Sequence, residues 1–246
     1  MVDDALSSSH MGTRAIIALL IFVLFAGTVA AQRTLVVYDP TLEPEDIEPM
    51  LSDSEQADFE NIVVPKLKAK YQSEGCAVDP ELAGEVTGSF TKKGAVQRLA
   101  FYQVCQTGNG LGVVAIVVFE KGKLVGIWGD NSGWTMYVDK VADLNANGLD
   151  EFALSFGGGM HQGQGGIGVD VMEFGTRGPL SIGWFQGESI MDTETEYAWR
   201  VTVRKGKVPV FFRQKCVPNR DGKLLKRGPN KVFKLTKVGS KFEAVK

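Results

Sequence analysis

The sequence predicts a mainly β fold: an antiparallel, repeat-derived β domain, partly propeller-like or sandwich-like, preceded by a short helical segment. Three observations predict it. From about Glu85 onward, short apolar runs recur at roughly even spacing with Gly-containing turns between them. A loop centred on glycine occurs twice, at Gly94 and at Gly148, and each copy runs into an apolar strand. Only one stretch, Ser54 to Gln72, carries apolar residues at helical spacing (Phe59, Ile62, Val63, Leu67, Tyr71).

Taken in order, the chain begins with a polar stretch, then Arg14 and the apolar run Ala15 to Ala26, then small residues up to Ala31. This is the three-part pattern of a secretory signal over residues 1–31. Cleavage is expected after Ala31 or one residue earlier, and Met11 offers a second start with a more typical basic region. The apolar run is shorter than the ~20 residues a spanning helix needs. The expected location is therefore secreted or periplasmic, with no stable membrane span after cleavage. Residues 32–55 are rich in Pro and acid and read as an extended linker. Residues 56–75 form the helical segment. Ser52-Asp-Ser-Glu55 offers a capping box, and Pro65 divides the segment into two short helices or one kinked one.

Residues 76–246 make the β domain. Gln97–Val104, Leu111–Phe119, Leu124–Trp128 and Trp134–Val138 read as strands, followed by Phe152–Phe156. A glycine-dense connection, Gly157 to Gly166, leads to Gly168–Phe174, Pro179–Phe185, Tyr197–Val203 and Val208–Phe212. Lys231–Lys237 and Lys241–Val245 are expected to close the domain as a hairpin. Three cysteines, Cys76, Cys105 and Cys216, permit one disulfide in an oxidising compartment, and spacing leaves the pairing open.

The chemistry concentrates in Asp143-Leu-Asn-Ala-Asn-Gly-Leu-Asp-Glu151. Oxygen-bearing side chains on alternate residues of a tight loop suit a hard cation such as Ca²⁺, which takes six to eight oxygens. The expected ligands are Asp143, Asn145, Asn147 and Glu151, with the backbone carbonyl of Leu149. Gly148 permits the sharp bend. Leu154 stands where a helix–loop–helix calcium site needs a carboxylate, so that motif is excluded. Asn and Asp before Gly also serve a metal-free turn, which is the alternative for these residues. Asp150 is expected to face solvent.

Val141-Ala-Asp143-Leu-Asn145-Ala-Asn147-Gly148-Leu-Asp150-Glu151-Phe-Ala-Leu154 resembles the FG-GAP/VCBS-like repeats of integrin-like propeller blades and bacterial surface proteins. The resemblance implies calcium held between strands. A degenerate second copy, Thr87 to Gln97, places Ser89, Thr91 and Gln97 on Asp143, Asn145 and Glu151, and Lys93 on Asn147. Without the carboxylates and with an ammonium, the first copy is expected to bind no metal. A third, faint unit lies near Lys205-Gly206.

Enzymatic signatures are lacking. His161 is the one histidine after the signal, which excludes a His-based metal cluster, and no G-x-S-x-G elbow or phosphate loop occurs. Acidic residues from Asp170 to Glu196 do not form a spaced pair, and Trp128, Trp134, Trp184 and Trp199 suit either a sugar-binding face or a core. Thr34 to Pro65 holds nine acids and no Lys or Arg, whereas Arg200 to Lys246 holds fifteen bases and two acids. The basic tract either binds an anionic partner, packs on the acidic tract, or is solvated. The expected function is that of an exported, non-enzymatic calcium-binding module of the cell envelope, with an unidentified protein or polysaccharide as partner and no nucleic acid. The alternative is a metal-free module binding an anionic polysaccharide or envelope component through the basic tract.

Overall fold

The computed structural model describes residues 34–42, 50–72, 75–108, 111–237 and 241–246, with backbone alone for 132–136 and 158–161. The signal segment expected over residues 1–31 lies outside them. The first strand, β1 (Thr34–Tyr38), is followed by α1 (Asp53–Asp58), a π-helical turn (Phe59–Val63) and α2 (Val64–Tyr71). Then come β2 (Glu81–Gly88), β3 (Gln97–Gly108), β4 (Leu111–Glu120), β5 (Lys123–Val141), β6 (Glu151–His161) and β7 (Gln164–Gly175). β8 (Gly178–Met191), β9 (Glu194–Arg204), β10 (Val210–Pro218), β11 (Leu224–Phe233) and β12 (Glu243–Ala244) complete the chain. The fold is mainly β and antiparallel, with the sheet curled into a half-barrel. Strands β2 to β11 pair in sequence order, β1 adds beside β9, and β12 beside β5.

The curl depends on β5. Its first half pairs with β4 from Glu120↔Lys123 to Leu111↔Gly133, and its second half with β6 from Trp134↔Gly157 to Val141↔Glu151. One strand thus carries the sheet from its first half into its second. Gly84 of β2 gives β5 room to pass, since a Cβ there would lie 3.2 Å from Val138 Cγ1. Alternation along β3 and β4 then separates two cores. Leu99, Phe101, Val114, Ile116 and Val118 meet Phe152, Leu154, Met172 and Phe174 of the second half. Ala100, Tyr102, Val113, Ala115, Val117 and Phe119 face the helices instead. Burial on both faces is why β4 is almost wholly apolar.

The helical segment forms for the reasons its sequence gives. Glu55 Oε2 accepts from the Ser52 N–H at 3.0 Å, closing the helix start. Phe59, Val63, Leu67 and Tyr71 recur at four-residue spacing and are all buried, with Phe59 stacked on Tyr102 at 4.4 Å. Pro65 lies in the first turn of α2, directly after the π-helical turn. Cys76 and Cys105 form a disulfide that ties the chain after the helices to β3, and Cys216 is free and buried.

Three expectations need correction. The tract 32–55 is not all linker: Thr34–Tyr38 is a strand antiparallel to β9, and the helix begins at Asp53, while residues 43–49 lie outside the described ones. The apolar run Leu35-Val-Val-Tyr38 decides this, because Val37 is buried in the core with β9. The glycine run Gly157–Gly166 is not a connection but strand, with β6 and β7 pairing through it to a turn at Gln162-Gly163. The closing hairpin does not form. β11 pairs with β10, Thr236 bridges Trp184, and β12 pairs with β5, because Phe242 and Val245 are buried in two different cores.

Besides the β1–β9 pairing, the acidic and basic tracts meet through their charges at Asp39. Asp39, just after β1, lies with its side chain 4% exposed, 2.6 Å from Arg200 Nε and 3.1 Å from Lys226 Nζ. Burial works to raise its pKa, but hydrogen bonds from Thr41, Arg200 and Lys226 outweigh it and hold the carboxyl below the usual range. That contribution is complete at neutral pH and is lost as pH falls below the ordinary carboxylate range. Asp39→Ala leaves two cations facing a cavity and is expected to cost about 2–3 kcal/mol. A lowered urea midpoint with unchanged slope is the readout; an unchanged midpoint would refute the role of the cluster.

Candidate metal centre

The loop from Ala142 to Asp150 joins β5 to β6 and is pinned from below by Leu144, which is fully buried among Val141, Ala153, Val169 and Val171. Two residues, Ala146 (φ 60°) and Gly148 (φ 88°), take the left-handed conformation that turns the loop back on itself. At Gly148 the left-handed φ favours glycine, while the nearest neighbour of a Cβ there would be Lys93 Cδ at 3.1 Å, on an exposed and flexible side chain.

The side chains do not yet form one coordination shell. Asp143 Oδ1 accepts from Asn147 N–H at 3.0 Å and Oδ2 from Gly148 N–H at 3.2 Å. Asn145 Oδ1 accepts from Asn147 N–H at 3.0 Å, and Asn147 Oδ1 from Leu149 N–H at 2.7 Å. These are the local side-chain-to-backbone bonds by which Asx residues shape a tight turn. Among the described residues, no group of three or more His, Cys, Asp or Glu side chains stands close enough to hold a metal. Lys205 Nζ sits 3.2 Å from Asp143 Oδ2 and supplies a positive charge at the loop. Asp150, expected from the sequence to face solvent, is instead turned inward. It accepts from Asp143 N–H and Ser89 N–H at 3.2 and 2.9 Å and pairs with Lys140 at 3.2 Å, which ties the two loops together.

Glu151 differs from the rest. It is fully buried, and its Oε2 accepts from Leu144 N–H at 2.6 Å, while its Oε1 has no partner. Burial pushes its pKa up from 4.5 to about 7; the Leu144 N–H opposes this, and the nearby charges of Asp143 and Glu173 add to it. Glu173 is the residue that the sequence did not attach to this loop. It accepts from Asn145 Nδ2 at 2.9 Å, and the register pairing Phe152 with Met172 sets it beside Glu151. Only the strand pairing reveals it, since it lies on the next strand.

The degenerate copy provides an internal comparison. Gln97 opens β3 as Glu151 opens β6. Its Oε1 accepts from Phe90 N–H and Thr91 N–H at 3.0 and 2.8 Å, and its Nε2 donates to Thr91 Oγ1 and Glu120 Oε2. Phe90 is fully buried as Leu144 is, and Gly94 is left-handed like Gly148. An amide at this place is satisfied within the protein. A carboxylate at the same place leaves one oxygen, and one charge, without an answer. An all-oxygen donor set with a buried, unpartnered carboxylate oxygen fits a hard cation in its chemistry. No family model matches this chain, and no curated protein and no solved structure matches it.

The raised pKa has a pH consequence. Between about pH 4.5 and 7 the folded chain keeps a proton that the unfolded chain has released, so metal-free stability falls as pH rises through that window. The full loss is on the order of 3 kcal/mol. Glu151→Gln, which copies Gln97, is expected to abolish this fall and to raise the metal-free melting temperature at pH 8. Thermal melts of both proteins across pH 4.5–8 in chelator, with parallel profiles, would refute the assignment.

Proposed function

We propose that this chain is an exported, non-enzymatic calcium-binding β protein that acts as an interaction or structural module of the cell envelope. The observation that carries this reading is the buried Glu151 carboxylate with an oxygen left unpartnered at the base of an oxygen-rich loop. Glu151, Asp143, Asn145 and Asn147 would hold the ion with the Leu149 carbonyl. An oxygen that already accepts from an N–H keeps a second lone pair for a cation. When bound, calcium would supply positive charge to a site where the charges of Asp143 and Glu173 act on the Glu151 carboxylate. Glu173 orients Asn145 through its hydrogen bond. Lys205 is the competitor, because a cation approaching Asp143 meets an ammonium already there.

The motif's likeness to FG-GAP/VCBS-like repeats supports the same reading, as does the Cys76–Cys105 disulfide, which suits an oxidising compartment. The described residues contain no helix long and apolar enough to cross a membrane. Two neutral Asn ligands favour a weak site, with Kd on the order of 10⁻⁴ M, as in extracellular modules.

At about ten times that Kd, calcium is expected to add about 1.4 kcal/mol, a rise of about 3–6 °C in Tm. Asp143→Ala should remove the rise, and Lys205→Met should shift the calcium midpoint to lower concentration. Melting curves that coincide with and without calcium, in the parent and in Lys205→Met, would overturn the proposal.

A further inference from the structure

We propose that the face of β9, β10 and β11 carrying Tyr197, Trp199, Arg213, Lys215, Arg227 and Lys231 binds an anionic polysaccharide. This is independent of the calcium reading. The face follows from register, since residues paired across antiparallel strands point to the same side. Lys215 pairs with Trp199 on one flank and with Arg227 on the other, and Arg213 pairs with Val201 and Lys231 in the same way. Two cross-strand pairs of like charge, Lys215 with Arg227 and Arg213 with Lys231, therefore stand side by side. Such pairs destabilise a sheet when nothing lies between them.

The opposite face of the same strands shows what compensation looks like. Arg200 and Lys226 are each one residue out of step with those pairs and point the other way, where both share the Asp39 carboxylate. On the proposed face, none of the four cations has a carboxylate partner among the described residues. They lie on aromatic rings instead. The Arg213 guanidinium is 4.4 Å from the Trp199 ring and 5.4 Å from Phe233, and Lys215 Nζ is 4.6 Å from the Tyr197 ring. Tyr197 and Trp199 are half-buried and in edge contact at 6.0 Å. Cations on an edge strand alone would be accounted for as protection against strand pairing. β11 is such an edge, but β10 lies between β9 and β11 and has no edge to protect.

Half-exposed rings bearing fixed cations match a polymer that presents both C–H faces and carboxylate or sulfate groups. The Cys76–Cys105 disulfide also fits a compartment in which glycans rather than nucleic acids are the abundant polyanions.

The test is binding of the full chain to alginate (a polyuronate) and to heparin (a sulfated glycan), with neutral dextran and oligo-dT as comparisons. Binding to at least one anionic glycan but not to dextran is expected, weakening about tenfold or more when salt is raised to ~0.5 M and unchanged by chelator. The exposed double variant Lys215→Gln/Arg227→Gln should weaken it about tenfold, whereas Lys121→Gln/Lys123→Gln, at the β4–β5 turn, should not. No binding to either glycan at low salt, or equal loss in both double variants, would overturn the proposal. So would oligo-dT binding more tightly through the same residues. Binding that emerges only once Glu43, Glu45, Asp46 and Glu48 are changed to amides would also overturn it, by assigning the face to the chain's own acidic segment.

Discussion

One hydrogen bond, made twice, governs this molecule: the side chain that opens a strand reaches back to the N–H of the buried residue that anchors the preceding loop. Gln97 does this for Phe90, and Glu151 for Leu144. Each anchor is fully buried, so its N–H would otherwise lie unpaired away from water, at a cost of about 1–3 kcal/mol. With the anchors held, the two loops can touch. Asp150 N–H donates to the Ser89 carbonyl at 2.9 Å, and Ser89 N–H donates to Asp150 Oδ2 at the same distance. One loop belongs to the first half of the sheet and the other to the second. Their contact therefore fixes how far the sheet curls after β5 has carried it around, and it sets the width of the core shared by Phe101 and Phe152.

The two copies of this device differ by one atom with a large electrostatic effect. The Gln97 amide both accepts and donates, and each of its polar atoms finds a partner. The Glu151 carboxylate can only accept when ionised. It is surrounded by the charges of Asp143 and Glu173, and so it has two ways to become neutral, by taking up a proton or by taking up a cation. Its pKa near 7 expresses the first. The Lys205 ammonium is part of the second, but it reaches Asp143 rather than Glu151. The charge at the base of the loop is therefore answered only from one side.

Much of this was legible from the residues. The alternating apolar runs give the antiparallel strands, the Phe59, Val63, Leu67, Tyr71 spacing gives the packed helical face, and the Gly94/Gly148 alignment gives two loops that match down to the left-handed glycine and the strand-opening Gln or Glu. What the sequence could not carry is anything set by pairing between distant segments. Glu173 joins the loop only because β7 lies beside β6 in a particular register. β1 was hidden by the acidic, Pro-rich residues that follow it, although Leu35 to Tyr38 is a short apolar run rich in β-branched residues. Phe242 and Val245 look like half of a local hairpin, yet burial in two separate cores draws them away from β11. The sequence leads one to expect Asp143, Asn145 and Asn147 to point inward at a cation. The loop curls as its composition demands, but its own N–H groups compete for the same oxygens.

The distribution of charge links the two ends of the chain and explains why neutralisation inside the molecule stays incomplete. The basic C-terminal tract answers acids wherever a turn or strand end brings it close. Arg200 and Lys226 close on Asp39, and Lys205 closes on Asp143 because Gly206 N–H donates to the Leu144 carbonyl and docks that turn on the loop. Beyond these points the geometry separates what remains. Glu151 is sealed beneath its loop, while Arg213, Lys215, Arg227 and Lys231 are held on an open sheet face by pairing with their neighbours. Screening weakens whatever attraction persists over longer distances. One enclosed carboxylate and four exposed cations thus stay unpaired among the described residues, and the proposed calcium ion and anionic glycan are the counter-ions whose size and charge would suit them.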